Sequence, residues 1–291
     1  MLTLIIVALV LFGLILGSFA GATVWRLRAR QLQLDKQQKE PYSKAEYERL
    51  KPLMGRSAAK DRSVCLHCGY ALRWYDLIPL VSWIALKGKC RSCRTPIGSF
   101  EPLMELGVAA AFVLSFLFWP FALETPLAIA QFIVWLASIV ALAMLVAYDA
   151  KWFLLPDKVT FTVVGLGIVW LVLRSIEQGE VFTPLISSIG AVGVLGGLYL
   201  VLYLVSKGRW IGFGDVKLGL ALGLLIGDWA LALVALFSAN LIGTLIVLPL
   251  LAVGKLKRTS RVPFGPLLIA GAVFALLFGW YVVEWIMFTL V

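Results

Sequence analysis

Long apolar runs separated by short polar stretches dominate this chain. Eight runs are candidates for membrane-spanning helices, at roughly 2–25, 103–123, 127–148, 159–174, 182–205, 217–228, 230–253 and 265–289. A helix needs about 20 apolar residues to cross a bilayer, and these unbroken runs lack the alternation of barrel strands. The pattern therefore predicts an all-α polytopic membrane protein with about eight transmembrane helices.

The sixth run is the shortest. About 12 residues rise only about 17 Å, less than the hydrocarbon thickness of roughly 30 Å. However, residues 217–253 are too long for one ordinary span, and Asp228-Trp229 marks a plausible turn. Two helices fit this region better than one.

Composition and charge agree with a membrane location. The chain is 61% hydrophobic and 14% charged, with a mean hydropathy of +0.95, whereas soluble domains average about 25% charged residues. Of the 26 Lys and Arg residues, 25 fall in 26–101, 149–158, 206–217 and 254–263. The positive-inside rule then places these segments in the cytoplasm and both termini outside. The net charge of +10 is explained by this topology and by anionic membrane lipid, and no nucleic-acid partner is expected.

Three regions follow from this division. Residues 1–25 form the first transmembrane helix, which we expect to be an anchor and not a cleaved signal peptide. Residues 26–101 form a cytoplasmic insert, in which 44–50 can form a charged helix. Residues 102–291 form the main membrane domain.

The insert holds all four cysteines, as two C-x2-C pairs separated by twenty-one residues: Cys65, Cys68, Cys90 and Cys93. Two such knuckles supply four thiolates for a tetrahedral zinc site, which would be closed and structural. The alternatives are disulfides or free thiols, and a cytoplasmic location disfavours disulfides. His67 is expected to face solvent beside this site.

Two aspartates stand where apolar runs meet basic loops. Asp149 follows one run, and Asp215 follows two glycines in Gly212-Phe213-Gly214-Asp215. Carboxylates at a membrane edge are costly to desolvate, and a close pair can share a proton for acid–base hydrolysis. Glycines beside Asp215 would let a substrate strand approach the backbone. The alternative is that each aspartate is a solvated helix cap.

Other acidic residues have structural explanations. Asp157 competes with Asp149, but it stands near a helix start where a carboxylate can satisfy free N–H groups. Asp228 and the glutamates on the outer side are expected to be solvated turn residues. Pro263-Phe264-Gly265-Pro266 is expected to begin the last helix.

An ordered series of motifs resembles the type IV prepilin peptidases, membrane aspartic proteases of the G-x-G-D class. The series comprises Gly17-Ser18-Phe19 with Arg26-Leu27, the two cysteine pairs, Ile78 to Trp83, Gly88-Lys89, Pro102-Leu103 with Glu105, Asp149, Leu155-Pro156-Asp157, Gly212 to Lys217, and Pro263 to Pro266. It departs from the family in reading Ala20-Gly21 after Gly-Ser-Phe, where an asparagine is usual.

The resemblance implies a function. The family cleaves the basic leader of prepilins and pseudopilins after a glycine, at the cytoplasmic face of the bacterial inner membrane, with Asp149 and Asp215 as the catalytic pair here. Gly212, Gly214, Pro263 and Gly265 would form the substrate-facing backbone. Members with the four-cysteine loop usually also N-methylate the new terminus with S-adenosylmethionine, which points to Gly88, Lys89 and Glu105. The alternatives are an ion-coupled transporter or a non-catalytic assembly scaffold with a zinc-stapled loop.

Overall fold

The computed structural model describes residues 2–54, 62–257 and 260–290. Within these ranges the chain is helical and has two isolated β-bridges. Its α-helices are α1 Leu2–Gln38, α2 Lys44–Leu50, α3 Val81–Ala85, α4 Phe100–Leu117, α5 Pro126–Trp152, α6 Asp157–Gln178, α7 Phe182–Val192, α8 Leu198–Ser206, α9 Phe213–Ile226, α10 Trp229–Ala252 and α11 Gly265–Leu290. The all-helical prediction is confirmed.

Seven helical segments of the described chain are long and apolar enough to cross a membrane, with α7 and α8 counted as one segment over Phe182–Ser206. The eighth predicted segment, α9, is a separate helix of 14 residues. At 1.5 Å per residue it is about 21 Å long, too short to span a bilayer alone. The prediction of two helices between 217 and 253 is therefore confirmed, and α9 is the short one.

The first helix extends much further than its apolar run. The sequence pattern placed its end near residue 25, whereas α1 continues to Gln38. No proline interrupts this stretch, and its Arg, Gln, Leu and Lys residues favour helix. Arg28 on the extension forms an ion pair with Glu46 of α2 at 2.6 Å. The apolar pattern marked the end of the hydrophobic stretch and not the end of the helix.

The chain divides into two compact units, Met1–Leu114 and Ser115–Val291. In the first unit, α1 and α4 approach so closely that a side chain at two glycines would collide with backbone. A Cβ at Gly13 would lie 2.5 Å from Ala109 Cα, and one at Gly17 would lie 2.6 Å from Glu105 Cα. The cysteine-containing segment is joined to this pair, because the Leu80 N–H donates to the Glu105 carboxylate at 2.8 Å.

The second unit is built around α9, which packs against α6, α7 and the segment that follows α7. That segment, Gly193–Gly197, is one turn of π-helix. Small residues again permit close approach: a Cβ at Gly219 would meet Leu195 O at 2.7 Å, and one at Gly223 would meet Val192 Cα at 2.7 Å. Gly219 and Gly223 lie one and two turns after Asp215, on the same face of α9. This packing fixes where the Asp215 end of the helix lies.

Candidate active site and metal centre

Asp149 lies in the last turn of α5, and its side chain is only 6% exposed. Its Oδ2 accepts a hydrogen bond from the Gly265 N–H at 3.0 Å, in buried surroundings. Gly265 is the first residue of α11, and free N–H groups at a helix start favour a carboxylate. The buried charge is therefore held by a helix terminus.

Asp215 lies in the first turn of α9, outside the seven candidate spans. Burial, and to a smaller extent the Asp149 carboxylate, raise the pKa of its carboxyl to about 6, while a hydrogen bond from the Gly212 backbone opposes the rise. An electrostatic effect of one carboxylate on the other means that the two groups lie near each other. The pair can hold one proton between them at a pH where isolated aspartates are ionised.

Leu155 fills the space between the predicted glycines. Its side chain would lie 3.4 Å from a Cβ at Gly214 and 3.5 Å from a Cβ at Gly265. Gly212 is exposed and Gly214 is half-buried, beside Asp215. Pro263 is half-buried in the turn that leads into α11. The structure thus places Gly265 against Asp149 and Gly212 beside Asp215, whereas Gly214 and Pro263 lie within two residues of these contacts.

The other aspartates lie elsewhere. Asp157 is exposed at the start of α6 and forms an ion pair with Lys217 at 2.7 Å. Its carboxylate does not cap its own helix among the described contacts. Asp228 does cap a helix, accepting from the N–H groups of Ala230 and Leu231 at the start of α10. Asp149 is buried near Asp215, whereas Asp157 is exposed. Asp149 is therefore the better candidate for the carboxylate that pairs with Asp215.

The four cysteine sulfurs lie within 4.8 Å of one another. With zinc–sulfur bonds of about 2.3 Å, a tetrahedral site would place its sulfurs about 3.8 Å apart. The Cys65 and Cys93 sulfurs are 3.9 Å apart, and none of the cysteines is in a disulfide. The geometry fits one structural zinc ion, with four protein ligands and no open position.

The two knuckles have the same backbone design. Cys65 N–H donates to Tyr70 O and Gly69 N–H to Cys65 O, and the equivalent bonds join Cys90 to Thr95 and Arg94 to Cys90. Gly69 and Arg94 occupy equivalent positions in the two knuckles, and both have a positive φ, +72° and +59° respectively. His67 is exposed, as predicted, and its Nδ1 lies 3.3 Å from Thr95 Oγ1.

Comparisons with known proteins give the family. Residues 11–119 match the model described as bacterial peptidase A24 N-terminal domain, and residues 136–248 match the type IV leader peptidase family. A prepilin leader peptidase/N-methyltransferase of Burkholderia pseudomallei strain 1026b is 34% identical over 287 residues, covering 93% of this chain and 84% of the relative. The chain belongs to the type IV leader peptidase family.

Two further relatives of this leader peptidase agree. A type 4 prepilin-like proteins leader peptide-processing enzyme of Escherichia coli O78:H11 is 34% identical, covering 90% of this chain and 89% of the relative. A prepilin leader peptidase/N-methyltransferase of Pseudomonas aeruginosa is 30% identical, covering 93% and 89%. No solved structure matches the chain.

The residues predicted to serve methylation lie within the cysteine segment, as Gly88 and Lys89 do, or in contact with it, as Glu105 does. Gly88 has a φ of +68°, and a Cβ there would press on the Trp83 ring at 3.1 Å. Lys89 is exposed. Glu105 is 6% exposed and is hydrogen-bonded by the Leu80 N–H and by the Ser18 side chain. Gly88 and Glu105 therefore hold this segment in shape.

Glu101 and Tyr199 each have a buried polar atom without a partner among the described residues, and the sequence pattern does not single out Tyr199. Glu101 accepts from Trp25 Nε1 at 3.0 Å through one oxygen, while its other oxygen is buried with no hydrogen-bond partner among the described residues. Tyr199 is 3% exposed, and its hydroxyl is likewise without a partner in the described chain. Tyr199 stands in an apolar helix, and only the glycine-rich Gly193–Gly197 before it could have drawn attention to it.

Proposed function

We propose that this leader peptidase cleaves the basic leader from prepilins or pseudopilins with Asp149 and Asp215 as its catalytic pair. The observation that carries the proposal is the buried Asp149 carboxylate, held by the Gly265 N–H and close enough to Asp215 to raise its pKa. The names of the relatives supply the substrate class. Cleavage after a glycine is the expectation from the family resemblance.

The chemistry needs one ionised and one neutral carboxyl group. The ionised group takes a proton from water, the water oxygen bonds to the peptide carbon, and the neutral group gives its proton to the carbonyl oxygen. When the resulting diol collapses, the C–N bond breaks and the amine leaves with a proton from the dyad. The raised pKa of Asp215 makes it suited to hold the proton at the start of this cycle.

The glycines beside the dyad suit an extended substrate. Gly212 and Gly214 precede Asp215 and present backbone without side chains. A leader strand could therefore approach the carboxylates closely, with Gly212 and Pro263 contacting its backbone. The apolar segment that follows the leader in a prepilin would lie against the membrane helices.

The proposed location is the bacterial inner membrane, with the dyad facing the cytoplasm. The end of α5 and the starts of α9 and α11 meet at the aspartates. The helix ends and loops at this end carry Lys151, Lys158, Lys207, Arg209 and Lys217. Such a bias toward basic loops marks the cytoplasmic side and also attracts anionic lipid.

The test is cleavage of a prepilin by purified protein in lipid, comparing Asp149→Asn, Asp215→Asn and Asp157→Asn. The first two variants should be folded and inactive. Asp157→Asn is the matched control, because its carboxylate is exposed and paired with Lys217, and it should retain activity. Full cleavage by either dyad variant would refute the assignment.

We also propose that the first unit N-methylates the new amino terminus with S-adenosylmethionine, as the names of relatives suggest. A cavity of about 500 Å³ lies in this unit, within the size range of small-molecule sites. Its lining includes Trp25, Arg49, Trp83, Glu101 and Glu105. S-adenosylmethionine would supply an activated methyl group on a sulfonium cation.

The lining fits such a ligand. The unpartnered Glu101 oxygen offers an acceptor to a cation or a ribose hydroxyl. The ring of Trp83 suits a sulfonium or an adenine ring. Arg49 lies over the Trp25 ring at 5.3 Å and can meet the ligand's carboxylate. The zinc site at Cys65 and Cys90 borders the same cavity and would keep its wall in shape.

Calorimetric titration with S-adenosylmethionine, without any prepilin, tests the proposed methyltransferase site. Glu101→Gln should weaken binding, whereas Glu48→Gln, a surface residue that contacts Lys51, should not. Methylation should fall with binding, and leader cleavage should continue. An unchanged affinity of Glu101→Gln for S-adenosylmethionine would refute this cavity as the binding site.

A further inference from the structure

We propose that the Tyr199 hydroxyl is a third polar group of the peptidase site, donating a hydrogen bond to the scissile carbonyl oxygen as negative charge develops on it. The proposal rests on the peptidase function proposed above. It concerns a residue in the middle of an apolar helix, which neither the motif series nor the two aspartates point to.

Helix packing places Tyr199 opposite Asp215. The helix formed by α7, the π-helical turn and α8 runs antiparallel to α9: Val192 faces Gly223, Gly196 faces Leu220, and the Tyr203 ring lies 5.3 Å from the Phe213 ring. Tyr199 lies between the last two of these contacts. Counting residues along the two helices between these contacts, Tyr199 faces the turn of α9 that contains Asp215.

The π-helical turn sets this register. Gly193–Gly197 adds one residue to a helical turn immediately before Tyr199, and such insertions rotate the residues that follow and are frequent at functional sites. The same turn contains Gly196, whose missing side chain lets the backbone approach Leu220. Without the extra residue, the Tyr199 side chain would lie on another part of the helix surface.

The hydroxyl has no partner of its own. Tyr199 is 3% exposed and its ring packs edge-on against Phe264 at 5.5 Å. The Asp215 charge acts on the hydroxyl, yet the oxygen makes no hydrogen bond to any described residue. A buried hydroxyl left in this state destabilises the fold, since desolvation is not offset. The hydroxyl lies beside a catalytic carboxylate and has no acceptor in the free protein. We therefore expect its acceptor to be an atom of the bound substrate.

The reaction gives the hydroxyl a defined task. When water attacks, the carbonyl oxygen gains charge before the neutral aspartate has fully transferred its proton. A donor held beside the dyad stabilises that charge once the substrate has displaced the groups that cover the hydroxyl. Tyr199 keeps its proton throughout, so the proton balance of the two aspartates is unchanged.

Tyr199→Phe tests the assignment, because phenylalanine keeps the ring contact with Phe264 and removes only the oxygen. We expect kcat to fall by about 100-fold, the size of one lost oxyanion donor, with little change in KM. The melting temperature should stay the same or rise, because an unpartnered buried hydroxyl is gone. The matched control is Tyr203→Phe, which removes the same atom one turn away.

A second readout separates a catalytic role from a packing role. A leader peptide with a difluoroketone at the cleavage position hydrates to a diol that resembles the tetrahedral intermediate. Its inhibition of Tyr199→Phe should weaken by about the same factor as kcat, while affinity for the uncleaved leader stays the same. An unchanged kcat, or a loss of kcat that accompanies a lower melting temperature, overturns the inference. Absence of cleavage by the wild type would instead refute the peptidase function itself.

Discussion

Gly265 offers a sharp test of the dyad geometry, because a single methyl group there would enter the Asp149 site. The Gly265 N–H donates to Asp149 Oδ2 at 3.0 Å. A Cβ at the same residue would lie 2.7 Å from that oxygen and 3.4 Å from Asp149 Cγ. Nonbonded atoms are at their optimum near 3.5 Å, so the carboxylate would have to retreat by about 0.8 Å. Leu155 Cδ2, 3.5 Å from the same Cβ position, limits how far the methyl can move the other way.

The size of the effect follows from this displacement. Gly265 has no positive φ, so alanine adds no backbone strain there. A misplacement of about 1 Å at a reacting group can cost about 100-fold in rate. Lengthening a buried hydrogen bond to a charged acceptor costs about 1.5–3 kcal/mol, which also corresponds to roughly 10- to 100-fold. We expect Gly265→Ala to lower kcat by about 100-fold and to change KM much less.

The assay is cleavage of a prepilin peptide by purified protein in lipid nanodiscs, paired with thermal unfolding. Gly165→Ala in α6 is the matched control, since a Cβ there meets nothing within 4 Å; it should leave activity intact and stabilise slightly. Gly271→Ala in α11 would press on the backbone of Ala235 and should lower stability. Wild-type kcat in a folded Gly265→Ala protein would refute the placement of Asp149.

Three further predictions concern charge, metal and backbone. Asp215→Asn should raise the melting temperature above about pH 6 and give no gain below about pH 3.8. The reason is that the pKa of Asp215 is raised from 3.8 to about 6 in the folded protein. Ionisation of this carboxyl therefore destabilises the native state by up to about 3 kcal/mol. Cys90→Ser should release zinc, measured by elemental analysis, and loosen the loop to proteolysis while cleavage continues; a zinc-free wild type would contradict the site. Arg94→Gly should stabilise the zinc loop by up to about 1 kcal/mol, because Arg94 has a φ of +59°; a lower unfolding temperature would show that the Arg94 side chain matters more than its backbone.

Much of the fold could be predicted from local sequence properties. Apolar run lengths gave the helices of the membrane part, and the charged helix predicted at 44–50 is α2, Lys44–Leu50. The cysteine spacing predicted four clustered thiols, which the structure places together. These features depend on residues close in the chain, so a periodic pattern or a short spacing is enough to show them.

Features that depend on packing could not be predicted in this way. Asp149 and Asp157 have similar sequence surroundings, and only the neighbouring helices make one buried and the other exposed. Tyr199 looks like any residue of an apolar helix until the antiparallel contact with α9 places it opposite Asp215. Glu101 has the same difficulty, since its partner Trp25 is 76 residues away in the chain.

The shortness of α9 explains why a basic residue, Arg174, lies outside the four basic segments. Arg174 is the one basic residue outside the four basic segments. Its Nη1 donates to Gly227 O at 2.9 Å, at the end of α9, where Gly227 has a φ of +64° and cannot continue the helix. A helix of 14 residues exposes its terminal carbonyls inside the membrane thickness, and unsatisfied carbonyls are costly there. A guanidinium meets this need and complements the negative end of the helix dipole. The Arg174 contact therefore secures the end of α9 that lies opposite Asp215.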